Sequence, residues 1–222
     1  MSKSRGFIFG GLAAVALIAV GGFFATRTAP MQGATEFSIV SAAEAETVEA
    51  LLPDFVQGDE AAPVTLIEYA SFTCPHCGNW HKDIYPQLKA DYIDTGKVKF
   101  IHREVYFDRF GLWAGQVAQC GGAERYFGIS GILYDTQKEW IGDGQQGTIA
   151  ANLRKIGLKS GLSAEQVDAC LNDTDHAKQM VSTFQQNASK DEIDSTPTLV
   201  INGKKHSNMS YEDLKALLDG AL

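Results

Sequence analysis

Two thiols three residues apart, Cys74 and Cys77 in the run Thr73-Cys74-Pro75-His76-Cys77, can exchange disulfides, hold half of a zinc site, or close an inert bridge. The elements that place them decide between these. Val64-Thr-Leu-Ile-Glu-Tyr-Ala70 is apolar and β-branched and reads as a strand buried on both faces. Downstream, Trp80, Ile84 and Leu88 recur at helical spacing. They predict a helix over 74–92, with Thr73 as N-cap and Pro75 in the first turn, where a missing N–H costs nothing.

At that helix N-terminus, unpaired N–H groups and the positive dipole end favour an anion, so Cys74 is expected to be the acidic, exposed sulfur. His76 can add a hydrogen bond or a positive charge to it. Cys77 continues the buried face through Trp80 and Ile84, so it is expected to be shielded, yet near enough to resolve a mixed disulfide. Zinc needs about four ligands, and the other two cysteines, Cys120 and Cys170, lie far apart in the chain. No metal is therefore expected. A metal-binding module would have to draw on Cys74, Cys77 and His76 or His81, and is the rival reading from another class.

Three further positions bear on this chemistry. Glu68 sits six residues before Cys74, and its flanks Leu66, Ile67, Tyr69 and Ala70 favour burial, where low dielectric disfavours a carboxylate. On an edge strand it would face water instead. Lys97–Val105 reads as a second strand, expected to bring His102 or Arg103 toward Glu68. Pro197 precedes an apolar run over 198–202, and a proline there belongs at the strand's first residue or in a turn. Asn202-Gly203 between apolar runs signals a hairpin, and a last helix is predicted from Tyr211.

The segment Gly58-Asp-Glu-Ala-Ala-Pro-Val-Thr-Leu-Ile-Glu-Tyr-Ala-Ser-Phe-Thr-Cys-Pro-His-Cys77 resembles the active-site region of the DsbA family of thiol:disulfide oxidoreductases, whose usual redox motif is Cys-Pro-His-Cys. Thr196-Pro197-Thr-Leu-Val-Ile-Asn-Gly203 resembles that family's cis-proline loop and following strand. The resemblance covers about residues 56–222. It implies an α/β thioredoxin fold with an inserted all-helical domain. It also implies a cis bond before Pro197 facing Cys74 and Cys77, with the Thr196 backbone free to pair with an extended substrate, and an acidic residue, here Glu68, beneath the disulfide. The basic partner that family members often carry is not evident as a lysine in this sequence.

Charge and composition set off a leader (1–30) and a linker (31–60), and the resemblance divides the rest into the first half of the thioredoxin fold (61–106), a helical insertion (107–190) and the second half (191–222). In the leader, Lys3 and Arg5 precede 20 uncharged residues from Gly6 to Ala25. Their length suits a membrane anchor, while their five glycines suit a cleaved signal peptide. Either way the rest of the chain is expected outside the cytoplasm. There Cys120 and Cys170 are expected to pair as a structural disulfide, two buried free thiols being the alternative. Three of the 19 basic residues lie in the leader, so the exported part carries 16 against 27 acidic ones. That balance argues against nucleic acid as a partner.

The expected function is a periplasmic oxidoreductase, with or without a membrane tether through residues 6–25, that donates disulfides to unfolded or reduced exported proteins. By the resemblance it needs no bound cofactor and is reoxidised by a DsbB-like membrane partner. A reductase or isomerase is the enzymatic rival, since thiol isomerases often carry threonine where Thr196 stands.

Overall fold

The computed structural model describes residues 50–222, which all lie within one compact unit. The leader and the first part of the 31–60 stretch fall outside the described residues. Among the described residues, no helix is long and apolar enough to cross a membrane.

Five strands form one mixed sheet: β1 (Phe55–Gln57), β2 (Val64–Ala70), β3 (Val98–Glu104), β4 (Thr198–Ile201) and β5 (Lys204–Ser207), in the order β1-β3-β2-β4-β5. β2 and β3 run parallel, and every other pair is antiparallel. The central position of β2 explains its apolar run, because it has neighbours on both edges and is covered on both faces. Glu68 is consequently wholly buried. At the β4–β5 hairpin Asn202 and Gly203 both have positive φ, 47° and 82°, the conformation that a tight two-residue turn demands and that glycine adopts without a Cβ clash.

β1 corrects the assignment of 31–60 as linker. Phe55 pairs with His102 across the sheet, and its ring stacks on Tyr126 at 3.8 Å. Three residues carry no periodicity; only the free edge of β3 makes them a strand.

The helix predicted over 74–92 is three pieces: α1 (Pro75–Asp83), α2 (Tyr85–Leu88) and a π-helical turn at Lys89–Ile93. Pro86 separates α1 from α2, since it has no N–H for the carbonyl one turn back and disfavours helical backbone in the residue before it. The helical insertion predicted over 107–190 is six helices: α3 (Arg109–Cys120), α4 (Gly122–Asp135), α5 (Gln137–Ile141), α6 (Gln146–Lys159), α7 (Ala164–Asn172) and α8 (Thr174–Lys190). A last helix, α9 (Tyr211–Asp219), follows β5, with Ser210 accepting from the Asp213 N–H at its start.

Two large apolar clusters hold the unit together. One joins Trp80, Leu88, Phe100, Leu199 and Leu214 on the α1 and α9 side of the sheet. The other lies in the helical insertion and includes Tyr126, Leu133, Trp140 and Leu153, with Cys77 and Ala70 at its border. The active-site loop is therefore packed between the two.

Candidate active site

β2 ends at Ala70 and α1 begins at Pro75, so the turn between them presents Cys74 at a helix N-terminus. The N-cap is Cys74 itself, without a side-chain capping bond, rather than Thr73. Thr73 is turned away: its hydroxyl donates to Asp108 Oδ2 at 2.8 Å, while Asp108 caps α3 through the N–H groups of Phe110 and Gly111. One carboxylate thus ties the redox loop to the start of the insertion.

Cys74 is partly exposed, Cys77 is buried, and the two are in the dithiol form. Pro75 and His76 lie on the surface. The Cys74 thiol is lowered from its ordinary value to about 5. The hydrogen bond from Cys77 contributes most, partial burial opposes it, and Thr196 and the backbone N–H groups of Cys77 and His76 add to the lowering. The imidazole of His76 forms no hydrogen bond to the sulfur, so His76 acts through its backbone rather than its ring. Cys77 is pushed up by its hydrogen bond to Cys74, by burial and by the negative charge of Glu68. One sulfur is therefore prepared to be a thiolate and the other a thiol.

Across from α1, the Thr196–Pro197 peptide is cis. The Thr196 carbonyl lies 3.7 Å from Cys74 Sγ and accepts from the thiol. Pro197 is buried beside it, and Thr198 opens β4, whose ladder to β2 starts with Tyr69.

Beneath the thiols, Glu68 Oε2 meets His81 Nε2 at 2.9 Å. The partner of Glu68 is thus His81, rather than His102 or Arg103. His102 stands opposite Glu68 in the β2–β3 register, but both its ring nitrogens are engaged, Nδ1 by Tyr126 at 2.7 Å and Nε2 by Tyr134 at 2.9 Å. Arg103 points to the opposite face, as alternation along a strand requires, and binds Asp54 and Asp191. A signal for His81 was present, since it lies four residues after Cys77 and shares its helix face.

Glu68, His81 and His102 each place an oxygen or nitrogen within 4.8 Å of the others. Glu68 Oε2 is bonded to His81 and both His102 nitrogens to tyrosines, so of their buried polar atoms only Glu68 Oε1 is left without a partner among the described residues. The three form parts of a hydrogen-bonded network rather than an open ligand set. The module of Cys74, Cys77 and His76 or His81 is not assembled: His76 is exposed and His81 faces Glu68.

Gln137, at the start of α5, is a site residue that sequence reasoning missed. Its amide donates to the carbonyls of Phe72 at 2.7 Å and Cys74 at 3.0 Å, satisfying two backbone acceptors of the redox loop. Gly78 makes room for it, because a Cβ there would lie 2.9 Å from Gln137 Oε1. Nothing in the sequence marks a glutamine 63 residues from Cys74. Cys120 and Cys170, at the ends of α3 and α7, are joined by a disulfide with a Cα–Cα distance of 5.9 Å.

The thioredoxin family model matches residues 51–220. The DsbA1 protein of Wolbachia pipientis, in its alpha-DsbA1 crystal structure, is 28% identical with a TM-score of 0.70, covering 78% of this chain and 92% of that one. BdbD of Bacillus subtilis in its oxidised form, 24% identical with a TM-score of 0.68 over 76% and 92% of the two chains, supports the fold. Disulfide bond formation protein D of Bacillus subtilis is 28% identical over 75% of this chain and 76% of its own. A Rickettsia typhi protein named for protein-disulfide oxidoreductase activity is 29% identical over 76% of this chain but only 62% of its own length. The match therefore spans about three-fifths of such Rickettsia relatives. With a strand–Cys-Pro-His-Cys–helix turn facing a cis-proline, on a sheet interrupted by six helices, the chain belongs to the thioredoxin family and to its DsbA-like branch.

Proposed function

We propose that this protein is an exported thiol:disulfide oxidoreductase that donates disulfides to reduced or unfolded exported proteins. The observation that carries the reading is the split between the two sulfurs, Cys74 lowered to about 5 and Cys77 pushed up. Whatever stabilises the Cys74 thiolate favours the reduced protein, whereas a disulfide has no charge to benefit, so the oxidised form passes its disulfide on.

In the forward reaction a substrate thiolate attacks Cys74 Sγ of the oxidised pair. The Cys74–Cys77 bond breaks, its electron pair goes to the Cys77 sulfur, and a mixed disulfide forms at Cys74. A second substrate thiolate then attacks the substrate sulfur of that bond, and Cys74 leaves as the better leaving group because its pKa is low. The Thr196 backbone, beside Cys74, is placed to hold the substrate as an added strand segment. Residues of this chain account for every step, so no bound cofactor is invoked. A DsbB-like membrane partner would return the pair to the disulfide. The export reading rests on Lys3, Arg5 and the uncharged run that follows them.

Equilibration of the full chain with glutathione buffers tests the direction. The expected potential lies on the oxidising side of about −200 mV, and one near the ~−270 mV typical of thioredoxin would make the protein a reductase.

A further inference from the structure

Glu104, at the end of β3, is a second buried carboxylate that the exchange reaction leaves unused. It is 7% exposed and accepts from three donors: Tyr106, Tyr126 at 2.7 Å and Gln119 at 3.3 Å. Three donors on one carboxylate mark it as ionised beside the dithiol. Tyr126 also contacts His102 Nδ1 at 2.7 Å, and His102 Nε2 contacts the Tyr134 hydroxyl at 2.9 Å. A phenol has one proton. Since Tyr126 gives its proton to Glu104, it must accept from His102 Nδ1–H, and Nε2 must then accept from Tyr134.

The bonds therefore point one way, from below the thiols toward Glu104. At the near end, Glu68 and His81 come within 4.8 Å of a His102 nitrogen. Glu68 Oε1 has no hydrogen-bond partner among the described residues, which leaves an open acceptor at the junction. Glu68 is also coupled to Cys77, whose thiol its charge pushes up.

We infer that Glu104 is the proton store for Cys77, filled and emptied through Glu68, His102 and Tyr126. The inference rests on dithiol–disulfide exchange at Cys74 and Cys77, whichever direction it runs. When Cys77 closes the disulfide on Cys74, its S–H bond breaks and the proton goes to Glu68 Oε1. The new S–S bond forms as the departing thiolate takes the electron pair. The Tyr134 hydroxyl, which donates to His102 Nε2 in the dithiol, turns off that nitrogen. The proton then passes from Glu68 to Nε2 as Nδ1 releases its own to Tyr126, and the Tyr126 proton goes to Glu104. One thiol proton has become one carboxyl proton, and His102 has changed tautomer. Reduction reverses the same transfers, giving Cys77 its proton as it leaves and restoring the tautomer.

The surroundings suit this role. Burial, with His81 adding to it, holds His102 neutral by pushing its pKa well down, so it passes a proton without keeping it. Burial pushes Glu104 up, toward holding one. Glu104 and His102 also line a cavity of about 40 Å³, with Tyr69 and Arg103 across it. The titratable groups facing the chain are Glu68 from β2, His81 from α1, Tyr134 from α4 and Tyr106 from the β3–α3 loop, besides that pair.

Redox-difference infrared spectroscopy on the full chain, reduced with dithiothreitol and oxidised with glutathione disulfide, reads the store directly. A protonated-carboxyl band is expected to grow in on oxidation, to vanish in Glu104→Gln, and to vanish in Tyr126→Phe, where Glu104 remains but the chain is cut. Reduction by dithiothreitol should slow by about 10²-fold in both variants, the size of one lost proton transfer, with the Cys74 alkylation midpoint unchanged. A band that survives in Glu104→Gln and is lost only in Glu68→Gln, or no band in the unmodified protein, would overturn the inference. So would slowing accompanied by a displaced Cys74 midpoint, which marks a disturbed fold. A thioredoxin-like potential with the band intact would sink the donor function and leave the store standing.

Discussion

The molecule carries two cysteine pairs in opposite settings. Cys74 and Cys77 are three residues apart at a helix N-terminus, one sulfur partly exposed and both free. Cys120 and Cys170 are 50 residues apart, bonded, and join the ends of two packed helices. In the first pair the surroundings treat the two sulfurs differently, lowering one and raising the other. In the second, the chain places the sulfurs alike and closes a long loop. Reactivity thus comes from asymmetry at a short spacing, and stabilisation from the length of chain enclosed.

The sharpest way to break the contrast is to remove one sulfur at a time. Cys74→Ser should abolish exchange, by at least about 10³-fold in a thiol-exchange assay, and trap no mixed disulfide. Cys77→Ser should instead accumulate mixed disulfides at Cys74, visible on non-reducing gels. Equal trapping by both variants would erase the assigned roles.

Replacing Cys120 and Cys170 together by serine tests the other side. Loss of a 50-residue closed loop should lower stability by roughly 4 kcal/mol, measured by urea unfolding, while the Cys74 alkylation midpoint stays in place. A midpoint that moved with the distant pair would show the two sites to be coupled.

The pH dependence sharpens the asymmetry. Alkylation of the reduced protein should have its Cys74 midpoint at about 5, against about 8.5 for an ordinary thiol. By linkage, a thiol lowered in the folded state contributes stability that is full above its unfolded pKa and is lost as pH falls through the folded one. Cys74 should therefore make the reduced form gain on the oxidised form as pH rises from about 5 to about 8.5, where the gain levels off. Cys77, raised instead, contributes fully below the ordinary thiol range and less above it. Melting both forms across this range checks the sign, and an oxidised form that gained on the reduced one between pH 5 and 8 would contradict it.

The smallest effect is expected at Gln137. Gln137→Leu removes the donor to the Phe72 and Cys74 carbonyls and should cost about 1–3 kcal/mol for the acceptors left unpaired. Thermal unfolding measures the loss, and hydrogen exchange at the redox loop localises it. An unchanged melt would show that water replaces the amide.

Much of the site was legible in the sequence because its signals are local. A buried strand, a helix with proline in its first turn and two cysteines between them are adjacent in the chain, and their periodicities differ. Asn202-Gly203 and Ser210 are likewise local signals with mechanisms of their own. The errors fall where the partner is distant or the local rule is overridden. Thr73 has the chemistry of an N-cap, yet Asp108, 35 residues away, takes its hydroxyl. β1 is a strand only because β3 has an open edge, and Gln137 belongs to the site only because α5 packs on the turn.

The sequence by itself determined that Cys74 stands at a helix N-terminus, that Cys77 lies on the buried face of that helix and that Glu68 sits on a buried strand, since each follows from spacing along a single element. Only the tertiary structure decided which groups stand around them. Facing His102 in register did not make it the partner of Glu68, because Tyr126 and Tyr134 engage both its nitrogens while α1 delivers His81 to the carboxylate. Hydrogen bonds between elements depend on distances of a few tenths of an ångström after packing, and no one-dimensional pattern carries those distances.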